Sequence, residues 1–185
     1  MRIERSYRSD QELILRFLDV LGEGSTIVSG NKRAGPGFFI FAHTFIQEFV
    51  VEGFFKKEQL LLTALENNGF PADDGPVGAM HAEQSQARDA SQHILNAAKG
   101  WQDGDEEARG ETAWATGELT STLRKHMDRL KNLIFPLLEQ NITPEDEHMI
   151  SEGLNKIGFE INMKGDVEKY IKLLEMLEDE LSDWK

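Results

Sequence analysis

The chemistry open to this chain rests on five histidines and thirty-three acidic residues, because it has no cysteine. That excludes disulfides, thiolate metal sites and thiol nucleophiles. Imidazole and carboxylate remain, the pair used for acid–base catalysis and for transition-metal ligation. His93 and His148 sit in polar surroundings and are expected to face solvent. Glu145-Asp146-Glu147-His148 follows Thr143-Pro144 and reads as a capped, solvated helix start. Gly30-Asn31-Lys32-Arg33-Ala34-Gly35 lacks the spacing of a phosphate-binding loop and follows no strand. There is no Gly-x-Ser-x-Gly elbow. His43, His81 and His126 stay in play.

These residues must be positioned by helices, since the apolar spacing is helical nearly throughout. Leu13, Ile14, Phe17, Leu18 and Leu21 form one stripe, and the glycine-rich stretch 22–37 reads as a loop. A second helix is expected over 36–68, and it holds seven of the eleven phenylalanines. A third is expected over 76–99, with Pro76 in its first turn. A fourth covers 108–140 and bends near Pro136. Thr143-Pro144 starts a short helix ending near Gly158, and a last acidic helix spans 167–184. The fold class is all-α: a four-helix up-down bundle over 1–160, with a C-terminal helix over 161–185 packing on the bundle or a partner.

The chain has 185 residues, enough for one domain with a full core, and its net charge is -13. Nucleic acid and anionic membrane need basic surface and are not expected as partners. No apolar run reaches the roughly 18 to 20 residues that span a bilayer. Met1-Arg2-Ile3-Glu4-Arg5 has no apolar core of a signal peptide, so a cytoplasmic location is expected.

Three motifs follow one another at characteristic distances. They are Phe45-Ile46-Gln47-Glu48-Phe49 leading to Phe54-Phe55-Lys56-Lys57-Glu58, then Gly75-Pro76-Val77-Gly78-Ala79-Met80, then Leu123-Arg124-Lys125-His126 leading to Phe135-Pro136. Together they resemble the hemerythrin-like (HHE cation-binding) family over roughly residues 8 to 160. The resemblance implies a four-helix bundle that holds two iron atoms for oxygen binding, sensing or repair. It also implies where the ligands should be. The first-helix position holds Gln11, the second-helix positions hold Phe54 and Phe55 ahead of Glu58, and the third-helix position holds Gln84. On the fourth helix His126 is kept, and Leu130 and Lys131 follow. Amide and phenyl side chains are poor or null ligands for iron, so a di-iron centre is not expected.

In its place the resemblance puts Gln11, Glu58, Gln84 and His126 on interior faces of four helices. Buried polar groups must satisfy one another or bind something. Glu58 and His126 form a candidate acid–base pair. Gln11, Phe54, Phe55, His81, Gln84 and Leu130 are expected to line a cavity for a small molecule. On this reading the chain has lost the di-iron site and binds a small ligand or regulates, with no cofactor expected. The alternative keeps one transition metal, iron or zinc, on Glu58, His81 and His126, with a sensing or enzymatic role. That needs His81, three residues before Gln84, to turn inward. Whether the chain is an enzyme stays open. A homodimer through the C-terminal helix is a further expectation.

Overall fold

The computed structural model describes residues 2–28, 30, 33–164 and 166–185. Helix α1 spans Arg2–Val28. A second rod is built from α2 (Pro36–Phe45), a π-helical segment (Ile46–Phe54) and α3 (Phe55–Asn67). Helix α4 spans Gly75–Gln102. The fourth rod joins α5 (Glu107–Arg129), a shorter π segment (Leu130–Ile134) and α6 (Phe135–Asn141). Helices α7 (Pro144–Lys164) and α8 (Val167–Trp184) follow. No strand occurs among the described residues, so the all-α expectation holds.

The glycine-rich loop is shorter than its composition suggests, because α1 runs through Gly22 and Gly24 to Val28. Gly24 is required by packing: a Cβ there would lie 2.7 Å from a ring carbon of Phe38. Tertiary contact overrides the weak helix propensity of glycine. Gly158 likewise lies inside α7, which extends beyond the expected end. The Thr143 cap forms as expected, with the Asp146 amide donating to Thr143 Oγ1 at 3.1 Å.

Both π segments are departures from the regular periodicity read in the sequence. Each widens a rod near the positions where the family resemblance puts metal ligands, 54–55 and 130–131. Such widenings often occur at functional sites. The rod Pro36–Asn67 contains an 18-residue window apolar enough to cross a membrane by length and composition. No single apolar run in the sequence has that length, because Glu48 and Glu52 interrupt it. Half of that window is buried inside the bundle, as in a core helix of a helical domain.

The C-terminal helix packs on its own bundle. Tyr170, Leu174, Leu177, Leu181 and Trp184 are all buried. Trp184 lies 4.8 Å from the Phe38 ring, and Tyr170 lies 5.3 Å from Phe49, centroid to centroid. The apolar stripe expected to meet either the bundle or a second subunit is therefore covered within the chain.

Candidate functional site

Glu58 lies one turn into α3, Glu83 and Gln84 lie on α4, and His126 lies near the end of α5. All four are buried, and Glu58 and His126 have no solvent exposure. Gln84 Nε2 donates to Glu58 Oε1 at 2.8 Å. His126 Nε2 lies 2.7 Å and 2.9 Å from the two Glu58 oxygens. His126 Nδ1 lies 3.1 Å from Glu83 Oε1. Arg129, one turn on from His126, donates through Nε to both Glu83 oxygens at 3.2 Å.

An ionised carboxylate can only accept, so an imidazolium, which donates from both ring nitrogens, matches the two carboxylates that flank His126. Burial alone would lower its pKa, but the Glu58 charge and hydrogen bond, followed by Glu83, raise it to about 9. Glu83 is affected in the opposite sense. Burial pushes its carboxyl up, but the hydrogen bonds from His126 and Arg129 outweigh this and leave it below the usual range. Two acidic side chains, Glu58 and Glu83, thus face two basic ones, His126 and Arg129. Among the described residues only Thr116 Oγ1 is a buried side-chain polar atom without a partner, so this cluster is fully satisfied.

Aromatic rings close the space around it. Phe54 and Phe55 are buried, and Phe55 sits edge-on to His126 at 5.5 Å. Leu130 is fully buried, whereas Lys131 turns to solvent. Tyr7 reaches in from α1, with its ring 6.2 Å from Phe54 and 5.7 Å from Phe135. Its hydroxyl donates to the Lys57 carbonyl at 2.7 Å. Burial, with the Glu58 and Asp10 charges added, holds that phenol far above its usual pKa.

Three sequence-stated placements need correction. Gln11 is not an interior ligand-like residue. It is half-buried and lines an outer groove with Arg8, Arg124 and Lys131, because Tyr7 and Ile14 take the interior face of α1. His81 does not meet Glu58 or His126. It is half-buried on α4, with Nε2 3.3 Å from Glu66. His43 lies at the α2–α4 contact, with Nδ1 2.9 Å from Ser91 Oγ. His93 is half-buried under Trp114 rather than free in solvent. His148 is solvent-facing and pairs with Glu152.

Glu83, Arg129 and Tyr7 belong to the site but are not marked by the ligand pattern. Adjacency offered a signal, since Glu83 precedes Gln84 and Arg129 follows His126 by three residues, on the same face.

The donor set does not fit a pair of iron atoms. No group of three or more His, Asp or Glu side chains among the described residues is arranged to hold a metal ion. Glu58 and Glu83 lie on opposite sides of the His126 ring, so they cannot converge with it on one ion. The proposed trio of Glu58, His81 and His126 is not assembled. Nor is the Glu58–His126 pair open to a substrate, because neither residue has any exposed surface. The arrangement can hold a fixed proton and a fixed charge balance between helices.

Residues 11–138 match the family model for the hemerythrin HHE cation binding domain. No curated protein and no solved structure matches the chain.

Proposed function

The chain belongs to the hemerythrin HHE cation-binding family, and we propose that within it this protein is a binding or regulatory module that works without iron. The observation that carries the proposal is His126, both of whose ring nitrogens are engaged by carboxylates, Nε2 by Glu58 and Nδ1 by Glu83. Its proton stands where a metal-ligating histidine would offer a lone pair. Arg129 completes the charge balance, and Phe54, Phe55 and Leu130 fill the remaining volume. Iron would have to displace that proton, expel buried rings and leave Arg129 beside a cation. Glu58 and His126 then act as positioning residues that fix α3, α4 and α5 against one another. Small-ligand binding or regulation is then assigned to a surface outside the interior network.

The test is metal content by mass spectrometry, together with a visible spectrum, on untagged protein purified without chelators and then exposed to iron(II). The expected result is below about a tenth of an equivalent of any transition metal and no charge-transfer band. About two equivalents of iron, lost in His126→Ala, would overturn the proposal. About one equivalent, lost in Glu58→Gln, would instead support a mononuclear site.

A further inference from the structure

We infer that the ligand site of this protein lies on the outer flank of the Ile46–Phe54 π segment and takes a small organic cation with an apolar body. A pocket of about 260 Å³ opens there, between the π segment, the end of α7 and the start of α8. Such a volume is just below the range typical of ligand pockets, so the occupant is small. Its floor is apolar, made by Phe49, Phe54, Ile157 and Ile161. Phe54 is the ring that also fills the bundle interior, so the pocket sits directly behind the closed network.

The polar end carries the charge preference. Asp10 is paired with Lys57 at 2.6 Å, and Glu160 with Lys56 at 2.7 Å. Glu48 accepts from Lys169 at 2.9 Å and from the Tyr170 hydroxyl at 3.2 Å. Glu52, one turn beyond Glu48, has only the Gln47 amide, at 3.4 Å, and no cation among the described residues. Glu48, Glu52 and Tyr170 all line the pocket, and Glu52 is exposed. A carboxylate with no cation partner among the described residues, beside an apolar lining, suits an ammonium head on an apolar body.

The inference rests on reading the chain as a binding module, but it can fail separately, because it does not depend on iron content. The 185-residue chain is titrated by calorimetry with phenethylammonium, its neutral isostere 2-phenylethanol and the anion 3-phenylpropionate. The cation is expected to bind saturably, at least about tenfold more tightly than either analogue. Glu52→Gln should weaken the cation by about tenfold. Gly53→Leu should abolish binding, since a Cβ at Gly53 already lies 3.9 Å from Ile161 Cδ1 at the pocket floor. Circular dichroism checks the fold of each variant, and Glu52→Gln carries the test if Gly53→Leu misfolds. No saturable binding by folded protein, equal binding of the neutral isostere, or undiminished binding in folded Glu52→Gln or Gly53→Leu would overturn the inference.

Discussion

At one end of the bundle interior Phe38, Phe39, Trp101 and Trp184 meet ring to ring, with centroids 4.8 to 6.5 Å apart where Trp184 joins them. At the other end, roughly 30 Å along the same rod, Glu58, Glu83, Gln84, His126 and Arg129 meet through hydrogen bonds. Both ends are buried and both tie together helices distant in sequence. The aromatic end is held by apolar area, which is non-directional and nearly indifferent to pH. The polar end is held by geometry and by one proton on His126. The difference teaches why the second end tolerates fewer changes: removing a charged member takes a partner from an opposite charge that stays in the interior.

The largest effect should come from breaking the polar end at its centre. His126→Ala leaves the buried Glu58 with the Gln84 amide but no cation, and should lower unfolding stability by about 3 to 5 kcal/mol, read by chemical denaturation. A loss below about 1 kcal/mol would show that the network is solvated in solution.

Breaking the aromatic end should cost somewhat less. Phe38→Ala leaves a cavity beneath Trp184 and beside Gly24, and should cost about 3 to 4 kcal/mol at every pH where the fold persists. A loss that grows with pH would mean that the two ends are coupled.

The pH response sharpens the comparison further. The folded pKa of His126 is raised from 6.5 to about 9. Its contribution is therefore full below pH 6.5 and is lost as pH rises through about 9, amounting to roughly 3 kcal/mol over that window. Glu83 has the opposite sign. Its depressed pKa gives stability that is present above about pH 4.5 and lost as pH falls through its folded value. Denaturation curves of the wild type and Phe38→Ala from pH 5 to 10 should run parallel, about 3 kcal/mol lower at the alkaline end. Titration of the His126 ring by NMR gives the proton directly, and a value near 6.5 would remove the imidazolium from the account.

The smallest effect concerns Thr116, whose hydroxyl is buried without a partner. Thr116→Val keeps the shape and removes the orphan, so melting should be unchanged or higher by about 1 kcal/mol equivalent. A loss of more than about 1 kcal/mol would point to an internal water holding that hydroxyl.

Much of the architecture was legible from spacing. Helical apolar stripes placed the rods, Thr143 capped α7, and the family resemblance picked Glu58, Gln84 and His126 as buried partners. These succeed because a buried helix face repeats at 3.6 residues whatever it packs against. Gln11 and His81 went astray because each lies at the edge of an interior stripe, where a small rotation decides between core and groove. On α1 that choice was made by Tyr7, whose ring takes the interior space beside Phe54.

The sequence alone determined the helical class, the excess of acid and the absence of thiol chemistry. Only the tertiary structure decided that Glu83 and Arg129 complete the network, that both nitrogens of His126 are engaged, and that α8 covers its own bundle. The physical reason is that residue type and period are local properties of a chain. Protonation, pairing and closure depend on which groups three separate helices bring within about 3 Å of each other.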